Sequence, residues 1–173
     1  LRFYFNNILR MPSGINENSN FGTAIHDALD YYFRDMLANK NTFSPLSTLH
    51  TLFEKAMYKF KRNFTKQGFQ QMLSYGKTIL ETNYNAYINN WEKNVLLEWK
   101  PNAAVVYNDI PLTAKVDKIE FITDKDVVVI DYKTGDVDGD YAKKNISPAS
   151  AKNENGGNYW RQAVFYKIFI NIA

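Results

Sequence analysis

The chain has 173 residues, 45% of them hydrophobic and 16% aromatic, with 21 Lys plus Arg against 18 Asp plus Glu and a formal net charge of +3. That is enough apolar material for one globular domain with its own core, and it excludes disorder as the main state. The absence of cysteine excludes a disulfide framework, Cys-ligated zinc, an iron–sulfur cluster and a thiol nucleophile, so any metal must be held by oxygen or imidazole ligands.

Residues 1–10 are aromatic-rich, and Pro12, Ser13 and Gly14 break that pattern before a polar loop running to Asn20. Phe21, Ile25, Ala28, Leu29, Tyr32 and Met36 then recur at intervals of three and four and predict a helix, with Ser19 or Asn20 as its cap. A second helix fits Leu46, Leu49, Phe53, Met57 and Phe60, with Ser44 as cap and Pro45 in its first turn. A third runs from about Phe69 towards Trp91.

Beyond Trp91 the period changes. Segments 95–100, 103–107 and 112–121 are rich in β-branched and aromatic residues, with turn signals at Pro101 and Asn108-Asp109. The run from Val127 to Lys133 is apolar on both faces and predicts a central, doubly covered strand. Segment 136–158 is polar and reads as a loop, and 159–173 returns to helix. The order is an α+β domain: 1–93 mainly helical, 94–135 a small mixed sheet of three to four strands, then the loop and a C-terminal helix. No apolar run approaches the roughly 18 residues of a spanning helix, and no signal peptide opens the chain, so it reads as soluble. Leu1 at the start and Ala173 inside a helical pattern read as a piece cut from a longer polypeptide.

The chemistry concentrates in 112–135. A hairpin in which Ile122 pairs with Asp126 around a three-residue turn sets Asp117 opposite Asp131, with Lys133 two residues further on the same side. Two carboxylates that close beside an apolar strand repel each other and lose hydration, a cost of several kcal/mol per ion. Either a divalent metal such as Mg²⁺ or Mn²⁺ bridges them, or Lys133 neutralises the pair in a salt-bridged cluster, or the register is shifted and the two Asp point to opposite faces.

An Asp followed, about fourteen residues on, by Asp131-Tyr132-Lys133-Thr134-Gly135 resembles the nuclease core of the PD-(D/E)XK superfamily, in its RecB-like exonuclease branch. Phe21 to Leu29 is similar to that branch's first motif, whose His is here His26. Tyr159 to Tyr166 is similar to its closing motif, with Gln162 and Tyr166 on one helix face. The opening segment resembles the part that carries an iron–sulfur Cys in some relatives, so this chain is of the cluster-free kind. Lys115 stands where relatives carry Gly, and the family core expects one more strand after the last helix.

The resemblance implies a restriction-endonuclease-like, three-layer core that hydrolyses DNA phosphodiesters with Mg²⁺ or Mn²⁺. It implies His26, Asp117, Asp131 and the backbone carbonyl of Tyr132 as metal ligands, and Lys133 as the residue that positions or deprotonates water. Gln162 and Tyr166 brace the site or touch DNA. It further implies a bacterial cytoplasmic enzyme, the exonuclease domain of a UvrD/RecB-type ATP-dependent helicase–nuclease in repair and recombination, with a helicase domain and a partner subunit. No GxxxxGK[ST] motif is present in this chain. The other readings are a nuclease-like module that only binds DNA or a subunit, and a hydrolase acting on RNA. Glu98 reads as an acid supporting the site or as a solvated strand residue. Lys59, Lys61, Arg62 and Lys66 read as a phosphate-tracking patch with Phe60 and Phe64, or as a solvated face over core aromatics. Lys143, Lys144 and Lys152 are further DNA-neutralising candidates. His50 reads as structural.

Overall fold

A computed structural model describes Ile8 and residues 16–101, 105–135 and 139–172, without the side chains of Tyr141 and Ala142. The aromatic opening segment apart from Ile8, the break at Pro12 to Gly14, Ala103, positions 136–138 at the start of the polar segment, and Ala173 lie outside the described residues.

Helix α1, Glu17–Ala38, begins earlier than its apolar spacing predicts. Asn16 is the cap, because its side chain accepts from the Ser19 N–H, and Glu17 follows in the first turn where negative charge suits the helix dipole. Helix α2 is Leu46–Lys59, capped in position by Pro45 without a side-chain bond. Ser44 is not its cap: the Ser44 hydroxyl donates to Asp35 at 2.6 Å, and its carbonyl accepts from Tyr32. Helix α3, Lys66–Tyr87, starts at Thr65, whose hydroxyl accepts from the Gly68 N–H.

These three helices share one core, in which Phe21, Ile25 and Tyr32 of α1 meet Leu49, Phe53 and Met57 of α2 and Phe69 and Leu80 of α3. Helix α3 meets the Phe53 side chain of α2 at Gly76. A Cβ there would lie 2.1 Å from Cζ of Phe53, so only glycine fits.

Strands β1 (Val95–Trp99), β4 (Val116–Phe121) and β5 (Val127–Ile130) form a sheet in the order β1-β4-β5, while β2 (Val105–Tyr107) and β3 (Ile110–Leu112) form a separate hairpin. The hairpin turn places Asn108 and Asp109 at φ 48° and 62°, the left-handed pair that a two-residue turn of this hand requires. Three expectations change. Every pairing among the described residues is antiparallel, so the sheet is not mixed. The 112–121 run divides between β3 and β4. The central strand is β4, whereas β5 is an edge with Val128 exposed. The polar charges of β4 concealed this, because Lys118 is buried by pairing with Glu120 at 2.8 Å rather than by being apolar.

Segment 136–158 is not all loop, since helix α4 occupies Asp140–Ile146 with Asp140 in its first turn and Lys143 and Lys144 in its last. Helix α5 is Asn158–Ile172. One face of the sheet meets α1 where Val95 and Leu97 pack with Phe33 and Met36; the other meets α5 where Ile119 and Val129 pack with Tyr166. The result is an α+β, three-layer arrangement of α1, sheet and α5. No helix among the described residues is long and apolar enough to cross a membrane.

Candidate active site

The β4–β5 register is Lys118 opposite Ile130, Ile119 opposite Val129 and Phe121 opposite Val127, and Ile122 bonds Asp126 at 3.0 Å across the turn. That register, carried one step further, sets Asp117 against Asp131. The ladder ends there, and the next bond between the strands runs from the Tyr132 N–H to Asp117 Oδ2 at 2.9 Å.

Asp117 is met from α1 by His26, whose Nδ1 lies 3.3 Å from Oδ2. The imidazole packs edge-on against Tyr132, with ring centroids 5.7 Å apart. Burial works to raise the Asp117 carboxyl, but the bonds from His26 and from the Tyr132 N–H more than offset it and hold the group below the ordinary carboxylate range. The same bond raises His26 above the ordinary imidazole value against the opposing pull of burial.

Asp131 is met from α5. Gln162 and Tyr166 are one turn apart on that helix, and Gln162 Nε2 donates to Asp131 Oδ1 at 3.0 Å and to the Tyr166 hydroxyl at 2.9 Å. Tyr166 in turn donates to Asp131 Oδ1 at 3.1 Å. Burial pushes the Tyr166 phenol up, so it stays a donor. The other Asp131 oxygen forms an ion pair with Lys133, whose Nζ lies 5.3 Å from the Tyr159 ring centroid.

The structure therefore gathers His26, Asp117, Asp131, Tyr132, Lys133, Gln162 and Tyr166 at one end of the sheet, as two linked groups. Their donor chemistry, carboxylate and imidazole without sulfur, fits a hard divalent cation. Their convergence is incomplete: among the described residues no three acidic or imidazole side chains stand close enough to hold an ion, and Asp131 is engaged by Lys133, Gln162 and Tyr166.

An open cleft of about 470 Å³ leads to His26 and Asp117. Glu98 lines it, opposite Asp117 by the register of β1 on β4, and is ion-paired with Lys115. Its φ of 51° is left-handed inside a strand, a conformation uncommon for a residue with a side chain and enriched at functional sites. Nothing in the local pattern of Val-Leu-Leu-Glu-Trp announces it. Tyr159, which lines the cleft together with Lys133, opens the segment similar to the closing motif, and its place three residues before Gln162 puts both on one helix face.

The remaining candidates fall elsewhere. Lys59 is paired with Asp27 at 2.8 Å, and Phe60 and Phe64 pack against the helical core, so those rings are not free platforms for bases. Lys143, Lys144 and Lys152 are exposed. His50 lines neither cavity near the site, and its Nε2 is buried without a hydrogen-bond partner among the described residues.

No curated protein and no solved structure matches the chain. The family model of the PD-(D/E)XK nuclease superfamily does, over residues 1–168, a span that includes all seven of the gathered residues. With its paired acids, following lysine and bracing helix inside that match, the chain belongs to the PD-(D/E)XK nuclease superfamily.

Proposed function

We propose that this domain is a metal-dependent deoxyribonuclease of the RecB-like, cluster-free kind, serving as the exonuclease domain of a bacterial cytoplasmic helicase–nuclease in DNA repair and recombination. The observation that carries the hydrolytic part is the meeting of Asp117, Asp131 and Lys133 at the parting of β4 and β5. The helicase, subunit and cellular parts rest on the resemblance of the motifs alone.

His26, Asp117, Asp131 and the Tyr132 carbonyl would hold a Mg²⁺ or Mn²⁺ ion. When bound, such an ion polarises a phosphate oxygen and acidifies a water. The chain's own residues do the rest. Lys133 places a positive charge where the phosphorane's negative charge develops, and orients the attacking water. Gln162 and Tyr166 fix Asp131 by two hydrogen bonds from a helix rather than from a loop, which keeps the carboxylate's position precise. His26 and the Tyr132 N–H together hold the Asp117 carboxyl below its ordinary range against the pull of burial.

One observation favours the second reading, a module that binds DNA or a subunit without cutting: the Lys133 ion pair satisfies Asp131 with no metal needed. The two separate on cleavage of single- and double-stranded DNA with Mg²⁺ or Mn²⁺. The protein is expected to cut, to stop in EDTA, and to lose about 100-fold or more in rate in Asp117→Ala and Lys133→Ala. Binding without cleavage under every metal condition sinks the enzyme and leaves the module.

A further inference from the structure

Alternate residues of a strand share one face of its sheet, and β1 breaks that rule. Val95 and Leu97 pack with Phe33 and Met36 of α1, whereas the Trp99 ring lies 6.0 Å, centroid to centroid, from Phe169 of α5. The reversal is at Glu98, whose φ of 51° is left-handed. Strand β4 reverses beside it: Lys118, opposite Leu97, lies over the Phe33 ring, and Val116, opposite Trp99, packs in the layer of Tyr166. Glu98 and Asp117, between those two pairs, both line the cleft with His26. A left-handed residue with a side chain costs stability, and such outliers concentrate at functional sites.

The Glu98 carboxylate is directed at Lys115, with which it is ion-paired. Lys115 and Lys133 carry the two ammonium groups among the described residues lining the cleft. Lys133 is paired with Asp131 and faces the reacting phosphate in the proposed mechanism, in which Lys115 has no part. The Lys115 side chain is 50% exposed and that of Glu98 22%, so the carboxylate is the sheltered partner and the lysine the one that meets solvent. An ammonium has three donors, and an acceptor carboxylate leaves some of them for a second anion. Lysine carries its charge on a flexible four-carbon stem; fixing that stem beforehand lowers the ordering cost of binding.

We propose that Lys115 binds a DNA backbone phosphate next to the scissile one, and that Glu98 is the positioning residue that holds its ammonium over the cleft. This rests on the nuclease reading for the identity of the ligand and adds a strand contact outside the reacting group. The competing role is an ion pair that only ties β1 to β4, and such a pair has no phosphate of its own.

The test is equilibrium binding in EDTA of an oligonucleotide, single-stranded and as a duplex, in which one neutral methylphosphonate linkage is moved along the strand. In the unaltered protein at least one linkage is expected to lower affinity about fivefold or more when neutralised. In Lys115→Gln that linkage should lose its effect, the signature of a coupled pair, while Lys125→Gln, an exposed lysine outside the cleft, should keep it. Glu98→Gly should hold the melting temperature, since glycine adopts a positive φ freely, and should diminish the effect of the same linkage. Absence of any linkage whose effect depends on Lys115, or one equally silenced by Lys125→Gln, overturns the phosphate contact. An effect unchanged in Glu98→Gly overturns the positioning role. A linkage coupled to Lys115 without metal-dependent cleavage strikes the nuclease reading instead, so the two fail separately.

Discussion

Lys118 carries its ammonium into the interior at 2% exposure, 2.8 Å from Glu120 and 3.9 Å from the centroid of the Phe33 ring. Burial lowers its pKa, and Glu120 works against that shift. A buried pair of this kind contributes little net stability, but breaking it leaves a lone charge out of water, at about 3–5 kcal/mol. Glu120→Ala is therefore expected to lose about 3 kcal/mol in urea unfolding, and the double change Lys118→Met with Glu120→Leu to recover most of it. A neutral Glu120→Ala would show that Lys118 reaches water. The His26–Asp117 contact makes a different residue-scale demand. His26 titrates above its ordinary value when folded, so the native state keeps a proton that the unfolded chain has released. The contact's contribution is complete below about pH 6.5 and is lost as pH rises through the raised value. Asp117, held low, runs the other way: its share is present above about pH 3.9 and fades in acid. In metal-free buffer the stability gap between the unaltered protein and His26→Asn should be widest between those limits and should narrow in alkali. A gap that widens as pH rises above about 6.5 contradicts this assignment.

At the level of elements, α2 and α3 touch where Gly76 admits the Phe53 ring. A methyl group there has no room, so Gly76→Ala is expected to cost about 1–3 kcal/mol despite its better helix propensity, read as a fall in melting temperature. A rise would mean that the two helices separate freely. How far such elements were legible differs for physical reasons. The β4–β5 register could be counted, because a three-residue turn fixes the pairing and alternation carries it to Asp117 and Asp131. Helices α1, α2 and α3 announced themselves by apolar stripes, though not by their caps, since Asn16 acts through one side-chain bond beyond the stripe. The central place of β4 was hidden, because a strand reading Val-Asp-Lys-Ile-Glu-Phe is buried by charge pairing that no apolar count detects. Helix α4 was hidden too, being seven residues long and having no apolar stripe. Glu98 opposite Asp117 was out of reach, because another hairpin separates β1 from β4 in the chain and only the assembled sheet sets their register.

Taken as a whole, the molecule is unevenly held. Helix α1 buries eight residues, whereas Asn145 is the buried one among the described side chains of α4. Local opening follows such differences, so amide exchange should be slowest in α1 and its partners α2 and α3, and fastest in α4 and the turn after it. An α4 as protected as α1 would mean that a further packing partner covers it. The stiff helical half also reaches the chemistry directly. At Gly22 of α1 a Cβ would come within 2.9 Å of the Thr134 hydroxyl oxygen, and Thr134 follows Lys133 in the chain. The absence of one methyl group thus sets the clearance between a helix anchored deep in the core and the lysine proposed to face the phosphate. On the proposed nuclease function, a core substitution that tilts α1 is expected to be felt at that lysine, and the turnover number then becomes a gauge of packing at positions that never see the substrate.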